Sequence, residues 1–248
     1  MPEPILSCRE VSKHFGGVHA LDHVSVDLWS GEVLALAGDN GAGKSTLIKI
    51  ISGVYQPDGG SVIYKGEEMR FRNPAQARDR GIETIYQDLA LADNLDIGAN
   101  VFLGRERTFK RFGFLPALDR ESMDGAAHDV LKILDLDISE KKLNEPVVAL
   151  SGGQRQAVAI GRAIFWNAEI LIMDEPTAAL GVPEQRKVIE LIHRLKERGV
   201  AIIFISHNLS DIFAVADRIF VLRRGIAAGE RRAAETDDDE IVKLMIAG

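Results

Sequence analysis

The sequence predicts an α/β fold, on three observations. Short apolar, β-rich runs recur at 24–28, 33–37, 61–64, 82–86, 170–173, 201–205 and 218–222, with helical spacing of apolar residues filling several of the longer gaps. Two of them, 170–173 and 201–205, carry no polar alternation, which is the pattern of parallel strands covered on both faces. The run 33–37 passes directly into a glycine-rich loop and then into Leu47, Ile48, Ile50 and Ile51 at helical spacing.

Composition bounds what such a fold does. The chain has 248 residues, 46% hydrophobic and 27% charged, enough for one compact domain or two small ones. A net charge of -7 and a pI near 5.4 weigh against binding nucleic acid through bulk electrostatics, so no nucleic-acid partner is expected. The lone Cys8 allows no internal disulfide and too little sulfur for a cysteine-built metal site, which suits a reducing cytoplasm; it reads as a half-buried small apolar residue. The first ten residues lack an apolar run behind a basic stretch, and no run of about 18 apolar residues occurs. A membrane role is therefore expected to come through a partner.

Between 88 and 150 the β-rich runs stop, and residues 123–134, with Ala127, Val130, Leu131 and Leu134 on one face, suggest a helix. This stretch reads as a helical insertion into a body formed by 1–87 and 151–248. Its segment 105–111, with Arg105, Arg107, Lys110 and Arg111, reads as a solvated loop. Near the end of the chain, Thr236 followed by acids and then Ile241, Leu244 and Met245 reads as a short helix capped by Thr236.

The loop after 33–37 consists of Gly38, Asp39, Asn40, Gly41, Ala42, Gly43, Lys44, Ser45 and Thr46, and fits GxxxxGK[ST] between a strand and a helix. Glycines let successive backbone N–H groups point inward, and the helix adds its positive end, which makes a nest for phosphate oxygens. Lys44 is expected to reach the β and γ phosphates and Ser45 to bind Mg2+. Such a loop alone does not separate ATPases from kinases or GTPases.

The run 170–173 ends in Asp174 and Glu175, two carboxylates at the C-terminal edge of a buried strand, where open α/β sheets bind ligands. Asp174 is expected to hold the Mg2+ shell and Glu175 to orient and deprotonate the attacking water, since phosphoryl transfer needs mainly positioning and charge neutralisation. Without the phosphate loop, the pair would read as an acidic turn before Pro176. Upstream, Ser151, Gly152, Gly153 and Gln154 lead into Ala157, Val158, Ile160 and Gly161 at helical spacing. Ser151 is a good cap and the glycines expose backbone donors, giving a second anion-binding helix start. One nucleotide rarely needs two such loops from one chain.

Leu150 through Gln154 resembles the signature sequence of the ATP-binding cassette (ABC) ATPases, and it occurs with the phosphate loop and the acidic pair in that family's order. The resemblance covers nearly the whole chain. It implies a P-loop NTPase of ABC type, with a mixed-sheet core and a helical insertion, that binds ATP and Mg2+ and hydrolyses ATP. Phe15 matches the family's adenine-stacking aromatic. Gln87 matches the glutamine that joins the insertion to the Mg2+ and the attacking water, and His207 the histidine that contacts the γ phosphate. Taken singly, these three would read as core filler, loop cap and surface histidine. The family binds two ATP molecules between two cassettes arranged head to tail, each phosphate loop facing the partner's signature loop, so a homodimer on permease subunits at the cytoplasmic face of the inner membrane is implied.

Where most of the family reads Ser-Ala-Leu-Asp after the acidic pair, this chain reads Ala178, Ala179, Leu180, Gly181, without the aspartate of one cross-dimer contact. The stretches 176–182, 86–95 and 100–106 are similar to those of cassettes that import ribose, xylose or fructose. Carrying one cassette, the chain resembles the single-cassette fructose-type importers, in which a sugar-binding protein acts indirectly through the permease. Among rivals, repair ATPases carry long coiled-coil insertions and translation ATPases tandem cassettes, which this length does not hold. A small-molecule kinase lacks the signature loop. An exporter's cassette or a regulator is opposed only by the resemblance around 86–106, and an ABC subunit for another solute stays the alternative.

Overall fold

In the computed structural model, residues 3–111, 114–133, 144–178 and 180–246 are described. The chain opens with β1 (Leu6–Phe15), β2 (Val18–Leu28), β3 (Val33–Ala37), α1 (Lys44–Ile51), β4 (Gly59–Tyr64), β5 (Glu67–Met69), α2 (Pro74–Asp79) and β6 (Ile82–Ile85). It continues through α3 (Ile97–Val101), β7 (Thr108–Arg111), β8 (Leu115–Leu118), α4 (Arg120–Ile133), α5 (Gly152–Phe165) and β9 (Ile170–Asp174). It ends with α6 (Val182–Glu197), β10 (Ala201–Ile205), α7 (Leu209–Val215), β11 (Arg218–Arg223), β12 (Ile226–Arg232) and α8 (Asp238–Ile246). Contacts divide the chain into two units, one of Met1–Gln87, Ala168–Ala178 and Ile192–Gly248, the other of Asp88–Asn167 and Ala179–Leu191. No helix among the described residues is long and apolar enough to cross a membrane.

The first unit holds a six-stranded mixed sheet in the order β12-β11-β3-β10-β9-β6, parallel except for β12. Every residue of β3 and β10 is buried, which is why their sequences show no alternation. An antiparallel sheet, β2-β1-β4-β5, shares one apolar cluster with it, in which Leu6, Leu21 and Leu28 join Leu34 and Leu36 together with Leu47 and Ile48 of α1. Each such side chain contributes about 1.5–3 kcal/mol by leaving water. Cys8 on β1 is fully rather than half buried, because β1 lies between β2 and β4, and burial pushes its thiol up to about 12. In α8 the cap is Asp237, whose Oδ1 accepts from the Glu240 N–H at 2.9 Å; the expected cap, Thr236, instead donates its hydroxyl to Glu240 Oε2 at 2.7 Å.

In the second unit, α3, α4 and α5 bury Ile97, Val101, Met123, Ala127, Leu131 and Val158 together. Of the helical stripe expected at 123–134, Ala127 and Leu131 are in this core, while the Val130 side chain and Leu134 lie outside the described residues. Phe102, Phe165 and Trp166 pack edge to face with centroids 4.7–5.7 Å apart. In the segment expected as a solvated loop at 105–111, residues 106–110 are exposed and Arg105 is half-buried, but its second half is β7, paired antiparallel with β8.

Candidate nucleotide-hydrolysis site

The phosphate loop is shaped by what surrounds it. At Gly38 the backbone φ is 147°, and a Cβ there would lie 2.3 Å from the Leu222 carbonyl oxygen of β11, so no other residue passes. The Ala42 N–H donates to the Asp39 carbonyl at 3.1 Å, and the Gly225 N–H donates to the Ala42 carbonyl at 3.0 Å, tying the loop to the turn between β11 and β12. Gly43 is the N-cap of α1 and offers no side chain to the first-turn N–H groups, and no acid stands in that turn. The positive helix end is thus left for an external anion. Lys44 curls over the loop, its Nζ donating to the Gly38 carbonyl at 2.5 Å and the Asp39 carbonyl at 3.1 Å. Burial lowers its pKa from the lysine range, against the pull of Glu175, Asp174 and Asp39 nearby.

Both carboxylates come from the end of β9, which closes at Asp174 with Glu175 the next residue; β9 pairs in parallel with β10, placing Asp174 opposite Ile205. Burial raises the Asp174 pKa first and the Glu175 charge raises it second, with Lys44 and Lys49 pulling it back. Glu175 leaves the strand with φ 53°, in the left-handed region that side chains of this kind rarely adopt, while its N–H still donates to the Ile205 carbonyl at 2.9 Å. Such strain persists where surrounding structure over-determines it, commonly at functional sites. Glu175 Oε2 is buried and lies 2.9 Å from Nδ1 of His207, an ion-pair distance that falls outside hydrogen-bond geometry. His207 stands on a fixed turn, in which the Asn208 N–H donates to Ser206 Oγ at 3.0 Å and Asn208 Oδ1 accepts from the Ser210 N–H at 3.1 Å, capping α7.

One pair here escaped sequence reasoning. Asp211 is buried, and its Oδ2 accepts from Thr177 Oγ1 at 2.7 Å, joining the turn after Glu175 to α7. In the sequence, Asp211 reads only as an acid in the first turn of a capped helix.

Phe15 ends β1 beside the turn to β2, 44% exposed, and meets Tyr55 edge to face at 5.3 Å with Lys13 Nζ 5.7 Å from its ring. This is an open aromatic face flanked by a cation, and Tyr55 was not singled out from the sequence. Gln87 lies exposed just past β6, the neighbour of β9 in the sheet. Ser151, Gly152, Gly153 and Gln154 belong to the second unit. There Ser151 Oγ accepts from the Gln154 N–H at 3.3 Å and Gln154 Oε1 accepts from the Ser151 N–H at 3.1 Å, a full capping box on α5. A Cβ at Gly153 would come 2.9 Å from Cγ of Glu184, so α5 begins in close contact with α6.

A half-buried ammonium inside an anion cradle, with Asp174, whose ionisation burial opposes, and Glu175 beside it, is equipment for gripping a polyphosphate. The class it defines is that of the P-loop nucleotide hydrolases. Residues 21–178 match the family described as ABC transporter, and the chain belongs to this family of ATP-hydrolysing cassettes. It is 48% identical over 97% of its length to the xylose/arabinose import ATP-binding protein XylG of Sulfolobus acidocaldarius, covering 93% of that protein. The fructose import ATP-binding protein FrcA of Rhizobium meliloti is also 48% identical, over 90% of this chain and 86% of that one. A nucleotide-free ATP-binding cassette from an ABC transporter superposes with TM-score 0.83 at 27% identity, covering 99% of this chain and 100% of that one. A dimeric cassette bound to ADP and Pi, in a post-hydrolysis state, superposes with TM-score 0.75 at 26% identity, covering 92% and 98%.

Proposed function

We propose that this chain powers the import of a monosaccharide, hydrolysing ATP as a homodimer on a separate permease at the cytoplasmic face of the membrane, with a sugar-binding protein acting only through that permease. The observation that carries the reading is the 48% identity, nearly end to end in both chains, to a protein named for xylose and arabinose import. In this reading Lys44 and the backbone N–H groups of 38–46 hold the β and γ phosphates, and Phe15 stacks on adenine. Glu175 accepts the proton of the attacking water, Gln87 orients that water, and His207 contacts the γ phosphate. Ser151, Gly152, Gly153 and Gln154 present hydroxyl and N–H donors to the nucleotide of the partner cassette, in keeping with the dimeric cassette of similar fold.

The residues fit Mg2+. Among the described residues no group of three His, Cys, Asp or Glu side chains forms a metal cage. Ser45, Gln87 and Asp174 supply only hard oxygen donors, a sparse set that suits an ion which keeps its waters and leans on phosphate oxygens. Bound there, Mg2+ would neutralise charge on the β- and γ-phosphate oxygens.

The test is uptake of labelled xylose, fructose and ribose by cells lacking the gene. Uptake of at least one sugar is expected to fall, restored by the wild-type chain and not by Glu175→Gln. Undiminished uptake of all three would reject sugar import.

A further inference from the structure

The β7–β8 hairpin gains almost nothing from burial. Its register pairs Thr108 with Leu118, Phe109 with Ala117 and Lys110 with Pro116, so Phe109 and Ala117 share one face while Leu118 and Lys110 share the other. Both faces are open: Phe109 is 49% exposed and Leu118 52%, and Phe114 and Leu115 are 74% and 50% exposed. A two-stranded ribbon with no covered face is marginal in water, and this one exposes apolar side chains on both faces, Phe109 and Leu115 on one and Leu118 on the other, as an interaction site does.

The root of the ribbon is nevertheless fixed. The Asp119 N–H donates to the Arg107 carbonyl at 2.9 Å, and Arg107 Nη1 donates to Ser122 Oγ at 2.7 Å. The Arg107 guanidinium lies 5.0 Å from the Phe102 ring centroid and 5.7 Å from that of Phe165, and Arg105 lies 4.7 Å from that of Trp166. Held cations therefore stand beside an exposed apolar ribbon, and Lys110 adds another on the ribbon itself.

We infer that this hairpin docks on the anionic headgroup layer of a phospholipid bilayer, its apolar side chains entering the interface while Arg105, Arg107 and Lys110 meet the phosphates. Charge decides between occupants. A chain of net charge -7 is repelled by an anionic surface except where cations gather, and here Arg105, Arg107 and Lys110 outnumber Glu106 and Asp119. Cytoplasmic loops of membrane proteins carry excess Lys and Arg, which would oppose this segment, and a second copy would present the same cations. Shallow apolar insertion with electrostatic attraction is how interfacial anchors hold. The inference rests on the import reading only in needing a membrane where the chain works.

The full chain is sedimented with vesicles of phosphatidylcholine containing phosphatidylglycerol, and with phosphatidylcholine alone. Partitioning is expected to be roughly tenfold or more stronger on the anionic vesicles and to weaken as salt rises. Lys110→Glu should weaken it about tenfold, and Phe114→Ser with Leu115→Ser should weaken it comparably, both with wild-type ATP hydrolysis. No binding to either vesicle, equal binding to both, or variants that partition like wild type would overturn the inference. So would a serine variant that keeps its vesicle binding but assembles poorly with the permease, or that only loses a concentration-dependent self-association. None of these outcomes alters the sugar-uptake experiment, so the two readings fail separately.

Discussion

Lys44 and Asp174 are perturbed in opposite directions by one cause. Burial disfavours the charged form of each, lowering the pKa of the lysine and raising that of the aspartate, and their mutual attraction offsets this only in part. For Asp174 the folded chain binds a proton more tightly than the unfolded chain does. Stability is therefore lost as pH rises from the ordinary aspartate range through the folded value, and the whole penalty is present above it. Asp174→Asn removes that penalty. The nucleotide-free variant is expected to melt higher than wild type at neutral pH, with the gain shrinking as pH falls and vanishing below about pH 3, where the carboxyl is protonated in both the folded and the unfolded chain. Thermal unfolding at several pH values measures this. A lower midpoint at neutral pH would mean that attraction to Lys44 outweighs burial. The same substitution should depress ATP turnover, so activity and stability move oppositely at this position.

Helix starts carry the site at the next scale, and they also show what could be read in advance. Ser151→Ala removes one bond of the capping box on α5 and should cost about 1 kcal/mol, lowering the melting midpoint by about 2–4 °C. If the hydroxyl also contacts a nucleotide, as proposed, turnover measured well below that midpoint should fall further than the loss of folded protein explains; unchanged turnover would leave Ser151 a structural cap only. The Ser151 cap, the phosphate loop and the central strands were legible because their information is local: a capping residue before a helical stripe, glycine spacing, runs apolar throughout; the reciprocal bond from Gln154 that completes the capping box was not read. β1 was not, since Arg9, Glu10 and Lys13 interrupt it and register shifts follow Cys8 and Val11. β7 and β8 are four residues each with exposed apolar side chains, so no burial period is written into them. Thr236 and Asp237 are equally good capping types, and only the register of the first turn chooses. Of the candidate site, the carboxylates and the lysine lie in contiguous motifs, whereas Asp211 finds its partner 34 residues away.

For the whole molecule the open question is why one chain carries two glycine-rich helix starts, an uncapped one at Lys44 in one unit and one closed by a capping box at Gly152 in the other. In the proposed reading a triphosphate is held by the first, and the second meets a nucleotide held by another copy. Two copies of net charge -7 repel each other, and a pair joined through ATP should persist only while the triphosphate is intact. Glu175→Gln separates binding from chemistry, because an amide can still orient water but cannot accept its proton. With ATP and Mg2+ this variant is expected to elute from a sizing column at about twice the 27.2 kDa of one chain, and to return to one chain when ADP replaces ATP. Because the opposing force is like-charge repulsion between surfaces, raising salt from about 0.01 M towards 0.15 M should favour the pair. Elution as a single chain with ATP bound would leave the second helix start without a nucleotide to serve, and turnover near wild type would assign the water to a group other than Glu175.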